Sequence, residues 1–328
     1  MAPPAWPAWG RWPMNYLTTA GPRADPATAL TWGLIALSLL VVVIITVSVV
    51  VGVIVRRSDL SRETLDGAPV SPEGGGMMWL YVGTPLTIVT LVAVLVWTMA
   101  VLASVGEPGT PPRLTIDVTG RQWWWEARYP GPGPAQAFET ANEIHIPVGE
   151  PVLIHLHGAD VIHSFWVPAL SGKTDTIPGR ENFAWLQANH AGVYRGQCTE
   201  YCGLQHAHMA VFVIAQPRVE FEAWRDNQLR PAMLAPDPVT AAGEQLFVAR
   251  CGECHAVAGT PAHARRGPDL THLMTRRILA AGVLDNNVNN LSGWISDPQA
   301  QKPGARMPAT FLSGPQLRAV VAYLETLR

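Results

Sequence analysis

Two long apolar runs limit what this chain can fold into more than any other feature of its sequence. Residues 30–55 and 77–105 contain no charged side chain over 26 and 29 residues. A helix of about 20 apolar residues spans the hydrocarbon core of a membrane, and a helix satisfies its own backbone hydrogen bonds there. The buried core helices of soluble proteins are usually shorter. We therefore predict two transmembrane helices over these residues, with Pro85 bending or interrupting the second.

The charges beside the first run predict how the two spans are oriented. Arg56, Arg57 and Arg62 lie in the short segment 56–76, and arginines near span ends are retained on the cytoplasmic side. Residues 1–29 and everything after residue 105 are then expected outside. The first run begins 30 residues in and lacks a small-residue cleavage motif, so we interpret it as an anchor. A formal net charge of −2 gives no reason to expect nucleic-acid binding.

Beyond the second run, the hydrophobic pattern indicates two outer domains. Segments such as "LTIDVTG", "NEIHIPV" and "PVLIHLHG" alternate apolar and polar residues between Gly and Pro turns, which predicts a β sandwich or barrel over residues 112–217. Residues 218–238 combine mixed charge with three prolines and indicate a short helix and a linker. The pattern over residues 239–328 is helical. The β domain has an excess of acidic residues and the helical domain an excess of basic ones. This difference either arises by chance or steers the helical domain onto the β domain.

The first cysteine pair lies in the helical domain. Cys251, Cys254 and His255 form "CGECH", the attachment signature of a c-type haem. The two thiols would form thioethers and His255 would be the proximal ligand. Met307 is the favoured sixth ligand, because Met274 sits in an apolar helical pattern typical of packing. Residues 239–328 thus resemble a class I cytochrome c, and the resemblance implies an all-α fold.

The second cysteine pair lies in "QCTEYCGLQHAHM", residues 197–209. Four cysteines in exported domains allow two disulfides, and this stretch also admits a zinc or a copper site. Methionine argues against zinc, and a mononuclear copper site would leave one cysteine unused. Two thiolates could instead bridge two copper ions, each with one imidazole from His206 or from His163, which is expected in a loop after another strand. The residues alone leave these alternatives open.

Longer stretches resemble a known family. "DVIHSFWVPALSGKTDTIPGREN", "GVYRGQCTEYCGLQHAHM" and "GRQWWWEARYP" closely resemble subunit II of haem–copper cytochrome c oxidases, and the resemblance covers residues 30–217. It implies a cupredoxin-like Greek-key β-barrel that holds the dinuclear copper centre CuA. The ligands implied by the resemblance are the side chains of His163, Cys198, Cys202, His206 and Met209 and the backbone carbonyl of Glu200. It further implies that the Glu200 side chain helps bind magnesium at the boundary with subunit I, and that electrons enter near Trp123.

Together with the haem domain, the resemblance implies subunit II of a proton-pumping caa3-type oxidase in a bacterial plasma membrane. Electrons from a cytochrome c or a bc1-type complex would pass through haem c and CuA to haem a of subunit I, which with haem a3–CuB reduces O2 to water. Subunit III and membrane lipid would be further partners. One alternative is a CuA subunit of a nitric oxide reductase. Others are a membrane-tethered copper-delivery protein, which needs a thioredoxin-like βαβ pattern, and an exported domain with two disulfides.

The remaining histidines and charged residues receive weaker predictions. His155 and His157 lie two apart on a predicted strand and are interpreted as ordinary sheet residues, while His208 is expected to face away from the copper site. Asp160 matches a family acid close to the predicted copper-binding loop 198–209, which we term the copper loop, or it caps a turn. Arg180 either reaches toward subunit I or lies in a surface turn. Glu73 is the acid nearest to the second span that could lie at the mouth of a proton path. The histidines expected to be solvated are His145, His190, His263 and His272.

Overall fold

The computed structural model describes residues 14, 16–59, 76–133, 136–233 and 237–328. One compact unit contains Pro26–Glu107, and a second contains Pro108–Arg328 with the described residues up to Asp25. The predictions for Arg62, Glu73 and residues 1–13 and 15, and for the side chains of Arg56 and Arg57, fall outside the described residues.

The first unit is formed by two long helices, α1 (Asp25–Asp59) and α2 (Gly76–Gly106). Within them, Asp25–Val55 and Met77–Gly106 are long and apolar enough to cross a membrane, and their side chains are not buried by protein. Apolar helices of this length need lipid to cover them, so the two predicted spans are confirmed as candidate membrane helices. Pro85 lies inside α2 without interrupting it.

The β domain is a sandwich of two five-stranded sheets, with strand orders β3-β2-β1-β5-β8 and β4-β10-β9-β6-β7. Each sheet contains one parallel pair, β1 with β5 and β10 with β4. The strands are β1 Leu114–Arg121, β2 Trp124–Tyr129, β3 Phe138–Ala141, β4 Glu143–Pro147, β5 Val152–Gly158, β6 His163–Trp166, β7 Thr174–Thr176, β8 Asn182–Leu186, β9 Gly192–Cys198 and β10 Ala210–Gln216. The cupredoxin-like prediction is confirmed. A thioredoxin-like βαβ arrangement does not occur within this described domain, which argues against the copper-delivery alternative.

Buried and partly buried residues alternate along the strands, and the buried ones form the core between the two sheets. Ile116 and Val118 of β1 are fully buried and are separated by residues that are only partly buried, as expected where one face of a strand is covered. Trp125 of β2 is also fully buried and packs edge-on against Phe165 at a ring-centroid distance of 5.5 Å. Of the three consecutive tryptophans, Trp125 is therefore the core residue.

The C-terminal domain is helical, as predicted, and is preceded by α3 (Arg218–Gln228). Its helices are α4 Pro238–Arg250, α5 Val288–Ser296, α6 Pro298–Gln301 and α7 Gly314–Glu325. The side chain of Asp237 accepts hydrogen bonds from the first amides of α4, which fixes where this helix begins. The prediction of an all-α domain missed one short hairpin, β11 (Ile278–Leu279) with β12 (Leu284–Asp285).

Two of the four histidines predicted to be solvated are buried, so that prediction was wrong for them. His145 is 8% exposed because Trp224 of α3 stacks on its ring at 3.9 Å. His272 is 3% exposed, and its two ring nitrogens lie 2.9 and 3.0 Å from the carbonyl oxygens of Arg328 and Arg230. Chain segments distant in sequence cover both rings, and no local pattern signals such cover.

Candidate metal centres

The predicted copper ligands come together at one end of the β sandwich. His163 is the first residue of β6, rather than a loop residue as predicted, and Cys198 is the last residue of β9. These two strands pair with Phe165 opposite Cys198. This register brings the His163 Nδ1 atom to 3.9 Å from Cys198 Sγ, although 35 residues separate them.

The loop after β9 supplies the other ligands. Cys202 Sγ lies 3.8 Å from Cys198 Sγ and 3.5 Å from His206 Nδ1. Met209 Sδ lies 3.9 Å from Cys202 Sγ, and the Glu200 carbonyl oxygen lies 3.2 Å from Cys198 Sγ. All six atoms implied by the family resemblance are therefore within contact distance of one of the two thiols.

The donor set fits a pair of soft metal ions. The thiols are free, and 3.8 Å is far longer than the ~2.05 Å of a disulfide bond. Two sulfurs that share an ion at bonds of about 2.3 Å can lie no more than about 4.6 Å apart, so this separation suits a bridge. The ligand atoms of His163, Cys198 and Cys202 all lie within 4.8 Å of one another and are buried, which excludes competing water.

Electrostatics favour a thiolate before any metal binds. The hydrogen bond from Cys202, with smaller help from His163, lowers the pKa of Cys198, while the same bond and burial raise the pKa of Cys202. One negative charge is thus shared between the two sulfurs. Because metal ligation requires both thiols to be deprotonated, binding must release the remaining proton.

Asp160 fixes the orientation of the His163 ring. His163 Nε2–H donates to Asp160 Oδ1 at 2.9 Å, so that Nδ1 faces the thiols. The carboxylate also accepts from the backbone amides of Val161 and Gln122, both at 2.8 Å. Burial lowers the pKa of His163, but the hydrogen bonds and charges of Asp160 and Cys198 together outweigh it, and the pKa is raised overall. A carboxylate behind a ligating histidine is a recurring means of fixing its ring.

Trp123 and Gln122 contact the backbone of the copper loop. The Trp123 indole N–H donates to the Cys202 carbonyl at 2.9 Å, and the Gln122 amide donates to the same oxygen at 2.7 Å. Sequence reasoning singled out Trp123 but missed Gln122, whose position immediately before the tryptophan run was the available signal.

The haem-attachment residues follow directly on α4. The amides of Cys254 and His255 both donate to the Cys251 carbonyl at 3.0 Å, so one turn of chain places the two thiols and the imidazole together. His255 Nδ1–H donates to the Pro268 carbonyl at 2.8 Å, which leaves Nε2 available to an iron atom. Burial lowers the pKa of His255 and thereby favours the neutral, ligating form. The donor set fits a covalently bound haem.

Gly267 makes room for the imidazole of His255. A Cβ atom at this position would lie 2.7 Å from His255 Cε1, which is too close for carbon atoms. Met307 is partly buried against the same core as Met274. The Gln299 amide donates to the Met307 carbonyl at 3.1 Å and holds this loop. The choice of Met307 over Met274 as sixth ligand stays a prediction.

The other histidines behave as sheet or surface residues. His155 and His157 both lie near the Glu181 carboxylate, with nitrogen–oxygen distances of 3.3 and 3.6 Å. His208 is exposed, and its Nδ1 contacts Gln205 Oε1 at 2.6 Å, so its ring does not face the thiols.

Comparison with known proteins matches each of the two folded domains to a protein family. The family described as cytochrome c oxidase subunit II, periplasmic domain, matches residues 131–216, and the family described as cytochrome c matches residues 240–328. The cytochrome c oxidase subunit 2 of Alkalihalophilus pseudofirmus is 43% identical over 215 residues, which cover 65% of this chain and 61% of that protein. The protein of the same name from Bacillus subtilis is 30% identical over 291 residues, covering 83% and 80%.

Solved structures are also similar to parts of this chain. The periplasmic domain of subunit II of cytochrome oxidase from Bradyrhizobium japonicum is 35% identical to this chain and gives a TM-score of 0.34. The match covers 36% of this chain and 95% of that domain.

Proposed function

Because this chain belongs to the cytochrome c oxidase subunit II family, we propose that it is the electron-transfer subunit of a proton-pumping caa3-type oxidase. The subunit II domain implies CuA and the cytochrome c domain implies haem c, and both groups when bound supply one-electron oxidation and reduction. The proposed order of transfer is from a cytochrome c or bc1-type donor, through this chain, to haem a of subunit I, where O2 is reduced.

The observation that carries this proposal is the arrangement of two free thiols between two imidazoles. Cys198 and Cys202 are buried and 3.8 Å apart, with His163 beside one sulfur and His206 beside the other. Each metal ion of a bridged pair would therefore find one imidazole. The rigid sheet on one side and the Asp160 contact on His163 would keep these ligands still, and a site that moves little suits electron transfer.

At the other centre we propose Cys251 and Cys254 as the thioether residues, with His255 and Met307 as axial ligands. The Pro268 carbonyl orients the His255 ring, as an outer hydrogen-bond partner does for a ligating histidine. A thioether ligand on the opposite face raises the reduction potential of a haem, which suits a haem that accepts electrons from another cytochrome.

Glu200 is proposed to serve two partners at once. Its backbone carbonyl faces Cys198, whereas its side chain is exposed and free to reach outward. A carboxylate of this kind suits a magnesium ion, so we propose that Glu200 contributes to a magnesium site at the boundary with subunit I. Subunit III is a further proposed partner.

The proposed location is the bacterial plasma membrane. The helices α1 and α2 would cross it, with segment 56–76 inside and both folded domains on the outer side. Three arginines in or next to that segment support this orientation. In that location the copper and haem domains would face donors outside the cell membrane while remaining tethered to it.

A metal count on the purified full-length chain in detergent tests the proposal. We expect two copper ions and one iron per chain, a multi-line electron paramagnetic resonance signal with near-infrared absorption, and sharp reduced haem bands. Cys202→Ser should lose the paired-copper signal, whereas His208→Asn, at an exposed neighbour, should keep it. One copper or none per chain, or a disulfide between the thiols, would refute it. Assays of the complex with subunit I on oxygen and on nitric oxide would identify the substrate.

A further inference from the structure

Lys302 is a buried lysine at the seam between the haem domain and the copper domain. It is one of two lysines in the chain and is 3% exposed. Its Nζ atom donates to the carbonyl oxygens of Trp123 at 2.7 Å, His208 at 2.8 Å and Ala280 at 3.0 Å. An ammonium group has three donors, and here each of them has a partner.

The three acceptors join the two domains beside the copper loop. Trp123 and His208 belong to the copper domain, and His208 lies between two of the proposed copper ligands in sequence. Ala280 belongs to the haem domain, in a left-handed turn with φ values of 52°, 60° and 84° at residues 280–282. The next carbonyl of that turn, on Ala281, accepts from the Ala210 amide at 3.1 Å. A turn in this conformation, which is costly for alanine, presents successive carbonyls to both domains.

The residues after Lys302 continue the same seam. The Gln205 amide donates to the Pro303 carbonyl at 2.7 Å. Arg306 donates to Gln122 Oε1 at 2.8 Å, and its guanidinium lies 3.5 Å from Asp160 Oδ2. Asp160 is the carboxylate that orients His163, and Met307 follows Arg306 directly. Residues 302–307, which we term the bridging segment, therefore extend from the copper loop to the proposed sixth ligand of the haem.

A second attachment joins the haem domain to β4 at Arg277 and Ile278, shortly before the left-handed turn. The Glu143 carboxylate of β4 accepts from the backbone amides of Arg277 at 2.6 Å and Ile278 at 3.0 Å. Ile278 packs into a buried apolar cluster with four residues of β9 and β10: Val193, Ala210, Phe212 and Ile214. Two buried anchors at separate points hold one domain against another in a single orientation.

We propose that Lys302 is a positioning residue, which locks the bridging segment onto the copper loop and so holds the haem domain in one fixed pose for electron transfer to the copper centre. The role in electron transfer rests on the proposed function, whereas the fixed pose rests on the contacts between the two domains alone. Transfer across a fixed seam needs no diffusional search by the tethered domain, so its rate is independent of ionic strength. An electrostatically steered encounter, in contrast, slows as salt is added.

Amine labelling of the wild-type full-length chain tests the pose without any variant and without reference to metal content. With N-hydroxysuccinimidyl acetate and mass spectrometry, exposed Lys173 is the internal control for Lys302. We expect Lys302 to react ~10-fold or more slowly than Lys173, because it becomes accessible only when the seam opens. Comparable reactivity of the two lysines would overturn the fixed pose.

Lys302→Met tests the functional part, with Lys173→Met as the matched control. Haem-to-copper electron transfer is followed after flash photoreduction of the haem, at low and high salt. In Lys302→Met we expect transfer slower on the order of 10-fold or more and newly dependent on salt, with both optical spectra and potentials unchanged. A wild-type rate that falls with salt, or a Lys302→Met rate equal to wild type, would refute the positioning role. Missing copper or haem signals in the wild-type chain would instead refute the proposed function, while the labelling result would still stand.

Discussion

Replacing Asp160 with asparagine should weaken copper binding at a site that Asp160 itself does not ligate. Asp160 Oδ1 accepts from His163 Nε2 and the Val161 amide, and Oδ2 accepts from the Gln122 amide. Asparagine retains only one acceptor oxygen. If that oxygen replaces Oδ1, its NH2 group faces the Gln122 N–H and the Arg306 guanidinium, which lies 3.5 Å from Oδ2.

The opposite amide orientation is no better. The NH2 group would then face His163 Nε2, and the imidazole would have to move its proton to Nδ1, the atom that faces Cys198. A protonated Nδ1 cannot bind a metal. Either orientation loses at least one hydrogen bond to a charged acceptor, worth about 1.5–3 kcal/mol.

That loss corresponds to a 10- to 100-fold lower copper affinity, which is the typical effect of removing an outer partner of a ligating histidine. In free energy this is about 1.4–2.7 kcal/mol, so the two estimates agree. Competition with a chromophoric copper chelator, followed by the paramagnetic signal of the copper pair, measures the affinity directly. Asp175→Asn, at an exposed residue of β7, is the matched control. If the Asp160→Asn chain binds copper within about twofold of wild type and its spectrum is unchanged, the carboxylate does not orient His163.

Three further predictions follow from close packing and from burial. Gly267→Ala should push the His255 ring off the Pro268 carbonyl and shift the haem spectrum and midpoint potential; an unchanged potential would contradict the contact. Gly243→Ala should lower the melting temperature of the haem domain, because its Cβ would overlap the Ala319 backbone, at a cost of about 1–3 kcal/mol. Gly293→Ala should not, because its Cβ would come no nearer than 3.9 Å to the Gln301 side chain, which is an ordinary contact. Burial raises the pKa of Glu143 from its ordinary value of 4.5 to about 7, so the folded chain holds a proton that the unfolded chain releases between these pH values. The contribution of Glu143 to stability should then fall by about 3 kcal/mol as pH rises from 4.5 to 7. The melting profile of Glu143→Gln should lack this loss, and a pH dependence equal to that of wild type would refute the shift.

The sequence predicted the order of domains because each depends on a local pattern. The membrane helices follow from uninterrupted apolar length, and the β domain follows from alternation between Gly and Pro turns. The haem signature is contained in five residues, 251–255. Where prediction failed, the missing information was a partner from elsewhere in the chain. His145 and His272 are polar by type, and only the cover from α3 and from the C-terminal end buries them.

The proposed copper site likewise combines residues that are close in sequence with residues that only the tertiary structure brings near. The sequence by itself kept Cys198, Cys202, His206 and Met209 within reach of each other, because they are three and four residues apart on one short segment, and the family resemblance implied that they are copper ligands. Residues alone left His163 as one candidate, and it reaches the thiols only through the pairing of β6 with β9. The tertiary structure alone decided the roles of Asp160 and Lys302. Their partners are set by how strands and domains pack, and such packing is a property of the whole folded chain rather than of any local spacing.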